Sequence, residues 1–82
     1  MPVKKDQQAY MTELGETVRL SRKAAGLTQI ELAELAGVGK SSVFDIEKGK
    51  TRVQLDTLLN VLRILEINLK IESPLRRRGK NE

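Results

Sequence analysis

The chain has 82 residues, 39% of them hydrophobic and 32% charged, and a formal net charge of +4. That length suits one small domain or part of one, at roughly 100–200 residues per domain, and no run approaches the ~18 apolar residues of a membrane span. Cysteine and histidine are both absent. Disulfides, thiolate and imidazole metal sites and the commonest general bases are therefore excluded; no metal, cofactor or enzymatic role is expected, and a reducing cytoplasm is the expected compartment.

The opening residues MPVKKDQQAYMTELGE lack the apolar stretch of a secretory signal. Residues 73–82 set Arg76, Arg77, Arg78 and Lys80 against Glu82, a net of +3, which leaves +1 for the other 72 residues. So neutral a body does not point to nucleic acid by charge alone. The only aromatics, Tyr10 and Phe44, are too few for a stacking platform on single strands. Residues 1–11 are expected to form an arm, 12–72 one folded domain, and 73–82 a solvated, disordered tail that alternatively adds phosphate contacts or docks on a partner.

In chain order, Leu14, Val18, Ser21 and Ala25 have helical spacing, with a start anywhere from Asp6 to Thr12 and an end at Gly26. Thr28-Gln29-Ile30-Glu31 predicts a capping box, flanked by a Leu27–Leu32 staple, and opens a second helix that stops at Gly37. The turn Gly37-Val38-Gly39 leads to a third helix, Lys40 to Lys48, closed by Gly49. Two short helices about a tight glycine turn form a helix-turn-helix pattern. A fourth helix, about Leu55 to Leu65, carries more apolar residues than one stripe needs, which implies a partner surface. Ile67, Leu69 and Ile71 then alternate with polar residues, as in a half-buried strand ended by Pro74. A lone strand needs a second one, and its own copy in another subunit is the simplest candidate. Leu59, Leu62, Ile67, Leu69 and Ile71 are accordingly expected at a dimer interface.

Gly26-Leu27-Thr28-Gln29-Ile30-Glu31-Leu32-Ala33, Ala36-Gly37-Val38, Val43 and Ile46-Glu47-Lys48-Gly49-Lys50 together resemble the Cro/cI-type (XRE) helix-turn-helix family, over about residues 14–66. Within it, Gly37-Val38-Gly39, Asp45 to Lys50, the leucine-rich last helix and the terminal strand look like HipB-type antitoxin repressors. The resemblance implies an all-α, lambda-repressor-like domain in which helix four and a strand pairing across the dimer replace a fifth helix. It also implies that helix three enters the major groove while helix two lies across the backbone.

Carried onto this sequence, the resemblance puts Gln29 on a phosphate and Lys40, Ser41, Phe44 and Asp45 toward the bases. Ser42 faces bases or phosphates. Lys40 suits guanine O6 and N7 or else a phosphate, while the serines discriminate weakly or are merely tolerated at exposed positions. Phe44 departs from the family, where this position is more often polar. Val43 and Ile46 point inward, so its ring either meets a thymine methyl or folds back on the hydrophobic rim. Asp45 must accept from cytosine N4 or be held by a nearby cation. Lys48, Lys50 and Arg52 form a basic end to helix three that contacts phosphates or is simply solvated. Glu47 occupies the family position that pairs with an arginine of helix one, here Arg22.

The expected function is a sequence-specific, double-stranded-DNA-binding homodimer on a palindromic operator in the bacterial nucleoid. The resemblance makes it a repressor, and specifically the autoregulating antitoxin of a HipBA-like pair with a HipA-like kinase toxin as partner. The alternatives are a phage-type repressor or a restriction-modification controller without a toxin.

Overall fold

Asp6 opens the first helix: its carboxylate accepts from the Ala9 amide at 2.8 Å. In the computed structural model, which describes residues 6–71 and 73, the helices are α1 (Gln7–Ala24), α2 (Gln29–Ala36), α3 (Lys40–Glu47) and α4 (Leu55–Ile64). Residues 7–11, expected in an arm, are thus the first turns of α1. What holds them is tertiary as well as local, because Gln8 Nε2 donates to the Gly49 carbonyl at 2.9 Å, far along the chain. The remainder of the expected arm, residues 1–5, and the tail beyond Ser73 lie outside the described residues.

The capping box of α2 is complete. Glu31 N–H donates to Thr28 Oγ1 at 3.0 Å, and Thr28 N–H donates back to Glu31 Oε1 at 2.8 Å. The helix ends at Gly37, whose φ of 71° no L side chain adopts cheaply. Val38 N–H then reaches back to Ala33 O at 3.0 Å, which folds Val38 onto the core. The ends of α1 and α3 repeat that six-residue return, from Leu27 to Arg22 and from Lys50 to Asp45. The end of α4 does so too, from Ile67 to Leu62 at 2.9 Å, but with Glu66 at φ 58° where the others place glycine.

Val18, Leu32, Ala33, Ala36, Val43, Ile46, Leu58, Val61 and Leu62 form one core drawn from all four helices. Gly15 sets its tightest joint. A Cβ built there would collide with the Ile46 carbonyl oxygen and lie 3.1 Å from that of Glu47, so α1 meets α3 backbone to backbone.

Leu62, expected at a dimer interface, is 2% exposed and packs into this core. Periodicity shows that α4 is apolar on too wide an arc, but not which part of the arc faces its own chain. Ile67 is half-buried against the same core, whereas Leu55, Leu59, Leu69 and Ile71 stay 45–71% exposed. No strand forms among the described residues; 67–71 is irregular, as a single strand without a neighbour must be. No helix among them is long and apolar enough to cross a membrane.

Candidate nucleic-acid interface

Val43 and Ile46 are fully buried and anchor α3 from within. At about 100° per residue, the line opposite them runs through Ser41, Phe44, Asp45 and Lys48. Ser41, Phe44 and Lys48 are exposed and Asp45 half-buried. Lys40 and Ser42, also expected on the reading face, sit on its two flanks. Lys40 borders a concavity with Arg22, Lys23, Leu27 and Gln29 at the α1–α2 corner. Ser42 lines another with Asp45, Arg52, Gln54 and Thr57 beside α4.

Phe44 and Asp45 each have a lysine against them. The Lys48 ammonium lies 5.5 Å from the Phe44 ring centroid, a cation–π arrangement that keeps the ring outward, 43% exposed. Lys50 Nζ lies 3.7 Å from Asp45 Oδ1, and Lys50 N–H donates to the Asp45 carbonyl at 3.0 Å. A pair this exposed adds little stability; its consequence is electrostatic. Lys50 is thus the nearby cation that offsets the Asp45 charge, one of the two alternatives expected for that carboxylate.

Behind this face Arg22 grips Glu47 with two bonds: Nε to Oε2 at 2.6 Å and Nη2 to Oε1 at 3.0 Å. Nη1 donates to the Leu27 carbonyl at 2.9 Å, and Gln29 Nε2 donates to Glu47 Oε1 at 3.1 Å. The Arg22 and Glu47 side chains are 11% and 5% exposed. Burial by itself would push the Glu47 carboxyl up, but hydrogen bonds from Arg22 and Gln29 and the fields of Arg22 and Arg19 outweigh it and leave it lowered. The bond to Glu47, working against burial, raises Arg22. One network thus ties α1, the start of α2 and the end of α3, with no buried side-chain N or O unpartnered among the described residues. Gln29, expected on a phosphate, has its amide engaged inside the network.

Residues outside the expected set complete the surroundings. Arg19 and Lys23 share a face of α1 with Arg22 and, with Phe44 and Lys48, border a cleft of about 270 Å³ whose floor is the Arg22–Glu47–Gln29 network. Their signal in the sequence is the i, i+3, i+4 spacing of three cations, but only the α1–α3 contact at Gly15 brings that face beside the reading helix. Among the described residues no group of acidic side chains could hold a metal ion.

The helix-turn-helix family model HTH_3 matches residues 18–71. The uncharacterized HTH-type transcriptional regulator y4mF of Sinorhizobium fredii is 41% identical over 66 residues, which cover 80% of this chain and 87% of that one. An uncharacterized HTH-type transcriptional regulator of Haemophilus influenzae is 45% identical over 56 residues, 68% of this chain and 56% of that longer protein. Among solved structures, the one described as MDT Protein and a chain of the HipA-HipB-O2-O3 complex each superpose with a TM-score of 0.70. Each is 23% identical, with 90% of this chain and 97% of the other covered, a likeness of fold. The chain therefore belongs to the helix-turn-helix family, as an HTH-type DNA-binding transcriptional regulator whose described residues form an all-α domain of four helices.

Proposed function

We propose that the protein is a sequence-specific repressor that binds a palindromic operator as a two-fold homodimer and serves as the autoregulating antitoxin of a HipBA-like pair. The observation that carries the DNA reading is the outward line Ser41–Phe44–Asp45–Lys48 on a helix fixed from behind by buried apolar side chains and a two-bond ion pair. In this reading α3 lies in the major groove. Ser41 and Phe44 meet base edges, Asp45 accepts from a cytosine amine, and Lys40 and Ser42 reach bases or phosphates from the flanks. Lys48, Lys50 and Arg52 lie along the phosphates and set register and affinity, while Gln29, its amide donated to Glu47, braces the start of α2 against α3.

The dimer half of the proposal rests on the apolar residues that α4 and its sequel leave uncovered. Leu59 and Leu69 border a groove of about 550 Å³ floored by Leu62 and Ile67, with exposed Ile71 beyond. Antiparallel pairing of residues 67–72 between two copies, part of a domain running 12–72, would cover that groove and supply the strand neighbour missing from one chain. The antitoxin half is supported by the likeness of fold to a chain of the HipA-HipB-O2-O3 complex. The protein would then work on the nucleoid in the cytoplasm, bound to a HipA-like kinase toxin.

A DNase footprint on the region upstream of its own coding sequence tests the repressor reading: a symmetric protected site is expected, and none at any salt would overturn it. Co-expression with a kinase-like product of the neighbouring gene tests the antitoxin reading, with a co-eluting complex expected. No such gene, or no complex, leaves a repressor without a toxin.

A further inference from the structure

We propose that the cleft between α1 and α3 seats a DNA phosphate, held by Arg19 and Lys23 from α1 and Lys48 from α3. The proposal rests on α3 being the helix in the groove and adds to that reading an anchor on the opposite side of α3 from Lys50 and Arg52.

Charge in the cleft is lopsided. Arg22 and Glu47 cancel, and both Glu47 oxygens are already occupied, Oε2 by Arg22 and Oε1 by Arg22 and Gln29. No further carboxylate lines the cleft, and neither Arg19 nor Lys23 forms an ion pair among the described residues. Three exposed cations thus converge on a pocket whose own anion is neutralised, a surplus of +3 that favours a ligand with concentrated negative charge.

The position selects a backbone phosphate among such ligands. Phe44 and Lys48 belong both to the outward line of α3 and to the wall of the cleft. A strand whose base edge meets Phe44 therefore passes its sugar-phosphate over the opening. The helices that carry the cations are also fixed to each other, because Gly15 lets the two backbones touch one turn before Arg19. A guanidinium and two ammonium groups around one opening combine forked and point-charge recognition of phosphate.

The test uses the full chain and a duplex carrying its selected site, with affinity followed from roughly 50 to 200 mM salt. Each lost phosphate contact removes about 0.9 from the log–log slope. One seat per subunit of a dimer is then worth about 1.8, so the wild type's advantage over Arg19→Ala/Lys23→Ala should shrink about tenfold across that range. Site selection should return the same motif for both, and Arg19→Lys/Lys23→Arg should restore the slope. Lys23→Gln alone, at an exposed position, provides the same comparison should the double variant not fold. A wild-type slope in the folded variant, or a changed motif at an unchanged slope, overturns the seat while leaving α3's role intact. Wild type without salt-dependent duplex binding overturns both. Titration with inorganic phosphate decides the remaining source: saturable amide shifts at Arg19, Lys23 and Lys48, with the duplex slope unaffected by the substitutions, would assign the cleft to a free anion and overturn the seat.

Discussion

The α1–α3 side of the molecule and the α4 side are finished to different degrees. On the first, helices touch backbone to backbone at Gly15, the buried ion pair has its remaining groups hydrogen-bonded, and the helix after it ends on glycine. On the second, Leu55 and Leu59 remain in solvent, the following segment has no strand neighbour among the described residues, and a glutamate takes the left-handed end position. A surface that must present fixed side chains to DNA gains from closure within one chain, because looseness there would blur which base each side chain meets. The α4 surface, proposed to be completed by a second copy, would be under no such demand until that copy arrived.

The largest expected effect breaks the unfinished side. Leu69→Lys places a charge at the proposed two-fold pairing, and sedimentation at micromolar concentration should show monomers with far weaker operator binding. A variant that remains dimeric would move the interface away from 67–72.

The finished side should fail by loss of stability instead. Glu47→Ala leaves Arg22 charged and nearly buried, with Gln29 also deprived of its acceptor, and should cost about 3–5 kcal/mol in denaturant unfolding. Its pH dependence has a definite sign. A carboxyl lowered in the folded state contributes stability that is present above its ordinary value of 4.5 and lost as pH falls through the depressed one. The wild type should therefore weaken below about pH 4.5 by an increment that Glu47→Gln lacks. Gly15→Ala comes next. A helix interior ordinarily gains nearly ~1 kcal/mol from this change, but here the methyl meets two backbone carbonyls, and a net loss of about 1–3 kcal/mol is expected from overpacking. The smallest change runs the other way: Glu66→Gly relieves a left-handed residue and should stabilise by up to about 1 kcal/mol in the same assay.

How much of this was legible in the sequence follows from what each feature depends on. The capping box at Thr28–Glu31 and the stops at Gly26, Gly37 and Gly49 are local chemistry, whereas the fold class came with the family resemblance and its strand is absent among the described residues. The Arg22–Glu47 pairing spans 25 residues and came through the family resemblance rather than spacing. Gln29 turning inward to Glu47, Gln8 extending α1 by reaching Gly49, and Leu62 joining the core all depend on the position of a second element. Gly15 was visible only as a glycine in mid-helix, with nothing to say which neighbour required it. Arg19 and Lys23 gain a neighbour only once α3 is set beside their face of α1. The alternation at Ile67, Leu69 and Ile71 forms no strand among the described residues, and the proposed dimer is what would give it a strand's neighbour.

The central claim is that the outward line of α3 reads base sequence, while the cations beside it supply affinity and α4 with its sequel supplies symmetry. A binding-site selection on wild type and on Lys40→Ala/Phe44→Ala, each verified as folded by thermal melt, tests it most directly. The account predicts a palindromic motif for the wild type and relaxed preference in each half-site for the variant, with about 1–3 kcal/mol of discrimination lost per good base contact. An unchanged motif from a folded variant would contradict it, and would place the reading residues elsewhere on the chain.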